Sequence, residues 1–270
     1  MRAQLRAPIG IFDSGIGGWS VLREIRRELP QEALLYVADS AYAPYGERSE
    51  AEVAARAQAI ARHLVEAGAK SLVIACNTAT AAAAAALRAR FAVPIVAMEP
   101  AVKPAAAMTR TGVVGVLATR RTVGSERLAR LRDAHGRDVS ILARAATGLV
   151  ERIEAGDFDG PATRALVERH VAPLREAGAD VLVLGCTHFP LIRATIEAAA
   201  GPAMRVIDPA PAVARELRRR LERARLIDGD SDPRTRVLTT GSVARMRELL
   251  AMLGATALVV EGVDISEASV

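Results

Sequence analysis

Two cysteines, Cys76 and Cys186, are the only thiols in the chain, and each follows a short apolar run. A thiolate can take a proton from carbon and a thiol can return one, so a pair of thiols can serve as base and acid in a single reaction. Their surroundings are alike. Glu66-Ala67-Gly68-Ala69 leads into Leu72-Val73-Ile74-Ala75-Cys76-Asn77-Thr78, and Glu176-Ala177-Gly178-Ala179 leads into Leu182-Val183-Leu184-Gly185-Cys186-Thr187-His188. The offset is a constant 110 residues, from Cys76 to Cys186 and from Gly68 to Gly178. Each copy reads as a helix ended by glycine, a buried strand, and a cysteine where the strand stops. A thiol in such a turn can be activated by backbone N–H groups and the helix dipole. The weaker reading, a small buried hydrophobe, loses force because both cysteines take equivalent repeat positions with hydroxyl or amide neighbours.

Other chemistries fit less well. A dithiol redox couple usually has the form Cys-x-x-Cys, which is absent. A zinc site of Cys76, Cys186 and His188 has no fourth ligand at a recognisable spacing. Two cysteines make no disulfide framework. The glycine-rich segment Asp13-Ser14-Gly15-Ile16-Gly17-Gly18 invites a dinucleotide reading with Asp39 as the distant acid. Position 20, where that fingerprint needs glycine, is Ser20. The alternatives are a tight strand-to-helix turn, or a turn that offers N–H groups and the Ser14 hydroxyl to a small anion, with Asp13 as acceptor. Asp39-Ser40-Ala41-Tyr42-Ala43-Pro44-Tyr45-Gly46 reads as a turn-rich substrate wall, or as an ordinary connection whose tyrosines cover a sheet.

The elements that must hold these residues alternate short β-branched runs with Ala/Leu/Arg segments of helical period, the mark of βαβ units and parallel sheets. Strands are predicted at Ile9 to Phe12, Leu34 to Val37, Leu72 to Ala75, Ile95 to Ala97, Val113 to Leu117, Val139 to Ala143, Val181 to Leu184, Arg205 to Ile207 and Ala257 to Val260. Helices are predicted at Gly18 to Glu28, Ser49 to Ala67, Thr80 to Arg90, Arg120 to Ala134, Pro161 to Ala177, Pro190 to Ala199, Ala212 to Ala224 and Val243 to Leu253. A fainter echo of the repeat joins Gly10-Ile11-Phe12-Asp13-Ser14 to Gly115-Val116-Leu117-Ala118-Thr119. The fold class expected is α/β, with two similar lobes on mostly parallel sheets and a site in the cleft between them.

Composition bounds the rest. The 270 residues are 51% hydrophobic and 25% charged, which supports a core and excludes wholesale disorder. Aromatics at 3% leave no base-stacking platform. The net charge of +5 is spread through mixed Arg/Glu segments, and Arg215 to Arg225 reads as an amphipathic helix with a solvated basic face, so no nucleic acid is required. The longest uncharged stretch, Ser71 to Leu87, is too short to span a bilayer, and Ala7 to Phe12 is too short for a secretory core, so neither membrane nor export is expected.

Taken together, the motifs resemble those of the glutamate racemases in the cofactor-independent aspartate/glutamate racemase superfamily. They are Ile11-Phe12-Asp13-Ser14-Gly15-x-Gly17-Gly18, Asp39 with Pro44-Tyr45-Gly46, Cys76-Asn77-Thr78-Ala79, Gly185-Cys186-Thr187-His188-Phe189-Pro190 and Ile207-Asp208, in order across about residues 8 to 260. The resemblance implies lobes related by a pseudo-twofold axis, one of residues 1–98 with 209–270 and the other of 99–208. It implies that Cys76 and Cys186 are the acid/base pair, with Cys76 facing D-glutamate and Cys186 facing L-glutamate. Asp39, Glu154 and His188 would assist the thiols, with Glu151 one turn away as the rival of Glu154. Asp13, Ser14, Tyr45, Gly46, Asn77, Thr78, Thr187 and His188 would hold the amino acid. No cofactor and no metal are implied, and the motifs contain no lysine for a Schiff base, since Lys70 and Lys103 lie outside them. The implied partner is a small molecule, L- or D-glutamate, and the implied place is the cytoplasm, where D-glutamate feeds peptidoglycan synthesis and so cell shape. The assembly stays open between a monomer and a homodimer. Two rivals remain: a racemase of another acidic amino acid such as aspartate, and a non-enzymatic binding module, which leaves the paired cysteines unexplained.

Overall fold

A computed structural model describes residues 5–136, 138–227 and 233–266. The ends of the first expected lobe, 1–4 and 267–270, and residues 228–232 within it, lie outside the described residues. In chain order the elements are β1 (Ile9–Asp13), α1 (Trp19–Glu28), β2 (Leu34–Ala38), α2 (Glu50–Glu66), β3 (Ser71–Ile74), α3 (Asn77–Arg90) and β4 (Ile95–Ala97). Next come α4 (Val102–Met108), β5 (Val113–Ala118), α5 (Arg120–Val123), α6 (Glu126–His135), β6 (Ser140–Ala145), α7 (Leu149–Glu154), α8 (Pro161–Glu176), β7 (Val181–Gly185), α9 (Arg193–Ala200) and β8 (Arg205–Ile207). The chain closes with α10 (Ala210–Ala224), β9 (Thr235–Thr239), α11 (Val243–Met252) and β10 (Val259–Gly262).

The contacts divide the chain into two compact units, Met1–Met98 with Ala210–Val270, and Glu99–Pro209. The first contains a six-stranded sheet in the order β10-β9-β2-β1-β3-β4, and the second a four-stranded sheet in the order β6-β5-β7-β8. Every strand pair is parallel. Strands β1, β2, β3 and β7 are buried at every residue, as parallel strands covered on both faces must be. Phe12, Leu35, Val37, Ile60, Leu64, Leu72, Ile74 and Leu87 pack the first core; Val114, Val116, Leu128, Ile141, Val181 and Val183 pack the second.

The sequence repeat has a structural counterpart inside each unit. The orders β2-β1-β3-β4 and β6-β5-β7-β8 are the same, with the strand before each cysteine next to the unit's central strand. Both copies enter that strand through the same device. Gly68 and Gly178 adopt φ of 87° and 82°, which costs glycine nothing. The following residue then bonds back over the helix end, Ala69 N–H to Leu64 O at 3.0 Å and Ala179 N–H to Leu174 O at 3.1 Å. This turn pins the strand register, and with it the point where each cysteine emerges.

Several elements differ from the sequence-based expectation. Helix α3 starts at Asn77 rather than Thr80, because Cys76 itself is the N-cap. The single helix expected over Arg120 to Ala134 is two, separated at Gly124 and Ser125, with the Ser125 hydroxyl capping the second through Leu128 N–H at 3.2 Å. The helix expected from Pro190 begins at Arg193, after a 3-10 turn over Phe189–Ile192. The last strand lies two residues later than expected. Helices α4 and α7 and strand β9 were not anticipated. Strand β9 contains only two strongly apolar residues, Val237 and Leu238, and carries Arg236, which pairs with Glu261 of β10 at 2.9 Å. Without β9 the sheet would stop at β2.

Candidate active site

In the first unit, four parallel strands deliver polar side chains to their carboxyl ends, where sites of open α/β sheets form. Asp13 is the last residue of β1, Asp39 follows β2, Cys76 follows β3 and Thr240 follows β9. All but Thr240 are buried. The Cys76 sulfur accepts the Ala79 N–H at 3.5 Å, which sets it on the N-terminus of α3, the positive end of the helix dipole. Asn77 is 4% exposed, yet neither atom of its amide has a hydrogen-bond partner. A buried amide in that state costs roughly 1–3 kcal/mol, so the next residue to the thiol holds an unused donor and acceptor. Thr78 is buried beside it.

Asp13 accepts the Ser14 N–H at 2.6 Å and is approached by the Ser14 hydroxyl at 3.3 Å. The turn after it is held by Tyr36, whose hydroxyl donates to Gly15 O. Gly18 makes room for this: a Cβ there would lie 2.6 Å from both the Tyr36 hydroxyl and the Asp13 Cβ. Gly18 serves a close approach within the first unit, and no dinucleotide fingerprint is needed to explain it.

Asp39, expected to assist the thiol, sits in a hydrogen-bond network of its own. Its carboxylate takes Arg56 in bidentate fashion, Nη2 to Oδ1 at 2.8 Å and Nε to Oδ2 at 3.0 Å. It also accepts the Tyr45 hydroxyl at 2.5 Å and the Thr240 hydroxyl at 2.9 Å. No hydrogen bond links Asp39 to Cys76 among the described residues. Burial, then the neighbouring Asp39 charge and the bond to it, push the Tyr45 phenol well above its ordinary value, and Cys76 adds to the effect while Arg56 opposes it. The Tyr45 hydroxyl is thus committed to Asp39, and any contact of Tyr45 and Gly46 with a ligand falls to their backbone. Arg56 and Thr240 were missed from sequence. The signal for Arg56 was present: with Val53, Ala57, Ile60 and Leu64 it lies on the buried face of α2, where an arginine needs a buried carboxylate.

In the second unit, Cys186 follows β7, with Thr187 and His188 in the turn after it, all three buried. His188 Nδ1 lies 3.8 Å from the Cys186 sulfur and Nε2 lies 2.7 Å from Glu154 Oε1. Burial pulls the His188 imidazole down, but the bonds to Cys186 and Glu154 outweigh it and leave the ring well above its ordinary value. A protonated His188 donates from both nitrogens, to the sulfur on one side and the carboxylate on the other. Glu154 ends α7, the helix unforeseen from sequence, and of the two rival carboxylates it alone meets the histidine; Glu151 is exposed. Gly148, φ 90°, is the N-cap of helix α7. Among the described residues no three His, Cys, Asp or Glu side chains gather into a group that could hold a metal ion.

The Asp/Glu/Hydantoin racemase family profile matches residues 14–217. The glutamate racemase of Pseudomonas aeruginosa is 53% identical over 248 residues, 92% of this chain and 94% of its own. The crystal structure of Escherichia coli glutamate racemase in complex with L-glutamate and the activator UDP-MurNAc-ala superposes with a TM-score of 0.86 at 32% identity, covering 96% of this chain and 99% of that one. The Francisella tularensis glutamate racemase in complex with D-glutamate gives 0.85 at 27% identity, covering 97% and 99%. The chain therefore belongs to the Asp/Glu/Hydantoin racemase family, among its glutamate racemases, and is an amino-acid-racemising isomerase.

Proposed function

We propose that this racemase interconverts L- and D-glutamate with Cys76 and Cys186 as its two proton-transfer groups. One thiolate takes the Cα proton and the opposite thiol delivers a proton to the other face of the same carbon. The sulfurs thereby exchange protonation states, and exchange with solvent resets them. The observation that carries the reading is the Cys186–His188–Glu154 chain, a thiol hydrogen-bonded to an imidazole that a carboxylate orients, the arrangement that activates a nucleophile or base. The relatives crystallised with L-glutamate and with D-glutamate support the substrate.

The α-proton of an amino acid is far less acidic than a thiol, so charge growing toward the α-carboxylate needs donors already in place. Asn77 has an unspent amide, Thr78 and Thr187 lie in the same turns as the thiols, and Ser14 lies in the turn after the neighbouring strand β1. Removing one comparable donor costs about 2.7–4 kcal/mol in catalysis. The product D-glutamate would enter peptidoglycan synthesis in the cytoplasm; no helix among the described residues is long and apolar enough to cross a membrane.

The test is circular dichroism of purified protein with L-glutamate and no added cofactor. The signal should decay to zero, and in D2O both enantiomers should gain deuterium at Cα. Aspartate turned over as fast as glutamate would move the assignment to another acidic substrate, and absence of exchange with either would end it.

A further inference from the structure

The two thiols have unlike companions. Beside Cys186 stands a histidine that can gain and lose a proton; on the Cys76 side stands an ion pair. Arg56 is 1% exposed and Asp39 is fully buried, and the guanidinium grips both carboxylate oxygens while its Nη1 donates to Ile265 O at 2.6 Å. The Tyr42 ring lies under the guanidinium, 3.8 Å from its carbon. A carboxylate held by a bidentate guanidinium and two hydroxyls has every favourable acceptor direction filled. It holds the Tyr45 hydroxyl in one place. Tyr45 in turn packs in the same core cluster as Cys76.

We infer that Arg56 is a positioning residue of the racemase: acting through Asp39, it fixes Tyr45 and the Pro44–Tyr45–Gly46 turn beside Cys76. The inference rests on Cys76 being one of the two proton-transfer groups. Among the described residues, the titratable and charged groups facing the pair include Tyr45 and Cys76 on the site side, Tyr42 stacked on Arg56, and Arg48 over the same ring at 5.3 Å. From the C-terminal segment come the Thr240 hydroxyl and the Ile265 carbonyl, neither of which titrates in the working range.

The experiment measures wash-in of solvent deuterium separately from D-glutamate and from L-glutamate, as a function of pH, in wild type, Arg56→Lys, Arg56→Met and Asp39→Asn/Arg56→Met. Net racemisation alone would not serve, since both directions share one equilibrium. In Arg56→Met the exchange on the Cys76 face should fall about 10- to 100-fold, the worth of one charge-assisted hydrogen bond. That face should also acquire an ionisation absent from wild type, because an unpaired buried carboxylate titrates at raised pH. Arg56→Lys keeps the charge and should restore the wild-type profile in part. The double variant removes both charges together, which folds more readily than one orphaned charge; it should lose the new ionisation but keep the slowed exchange. Wild-type exchange on that face in the double variant, or equal losses on both faces in every variant, overturns the inference. A wild-type protein without exchange, or a Cys76→Ser variant with full racemisation, instead overturns the underlying two-thiol reading.

Discussion

His188 and Glu154, 34 residues apart in the chain, meet through Nε2 and Oε1 at 2.7 Å, and the opposite ring nitrogen faces the Cys186 sulfur. The imidazole is buried in the line between a thiol and a carboxylate, and its proton affinity is raised by both.

Replacing Glu154 by Gln removes the anion and leaves the burial, so the His188 pKa should fall. Activity that needs the protonated ring is lost as pH rises through that pKa, so the alkaline limb should move to lower pH. Proton abstraction on the Cys186 face should slow by about 10- to 100-fold. A pH–rate profile of deuterium exchange checks both. Stability follows the same sign: a raised histidine pKa stabilises the fold below the unfolded value of about 6.5, and this is lost as pH rises through the folded pKa. The variant should therefore show a smaller fall in urea stability across that window.

Cys76→Ser and Cys186→Ser should each abolish net racemisation, since a hydroxyl is a far weaker acid than a thiol. The residual exchange should be one-sided. Cys76→Ser should keep more exchange from L-glutamate and Cys186→Ser more from D-glutamate. The reverse preference would swap the faces, and full racemisation by either variant would remove its thiol from the mechanism.

Asn77→Leu should separate function from stability. The change keeps the volume and deletes two buried polar atoms that bond to nothing in the protein, so unfolding in urea should show a gain of about 1 kcal/mol. Turnover should fall by about 2.7–4 kcal/mol in kcat/KM if the amide serves the substrate. A loss of stability with intact turnover would assign Asn77 to the scaffold.

Gly18→Ala places a methyl 2.6 Å from the Tyr36 hydroxyl and the Asp13 Cβ. Overpacking of this kind costs about 1–3 kcal/mol, read as a lowered melting temperature. Adding Tyr36→Phe removes the clashing oxygen and should recover part of the loss.

How much of this was legible beforehand depends on how local each signal is. Gly68 and Gly178 announce their turns through neighbours a few residues away, and the constant offset to the cysteines carried the paired strands and both thiols into the expectation. Strand β9 gave no comparable signal, because it is a strand through its partners β2 and β10 rather than through its own residues. Cys76 as an N-cap escaped because a sulfur is an unusual cap. The partners of Asp39 were not legible for a related reason: Thr240, which bonds to it, and Ile265, which holds its partner Arg56, are over 200 positions away. The choice of Glu154 over Glu151 required α7, whose few residues carry too little periodicity to read.

The first unit is discontinuous, and this has a consequence for how the enzyme comes into being on the ribosome. Residues 99–209 form one uninterrupted stretch that holds Cys186, His188 and Glu154, so these three residues have been synthesised while the last quarter of the chain is still unmade. Cys76 leaves the tunnel earlier but waits longer. The strand that extends its sheet beyond β2, the threonine on Asp39 and the carbonyl that holds Arg56 all lie between residues 235 and 265. A chain halted before that point would carry both thiols and a finished second half, with the buried Arg56–Asp39 pair lacking two of its hydrogen-bond partners. The first cysteine to be synthesised is the last to be properly housed.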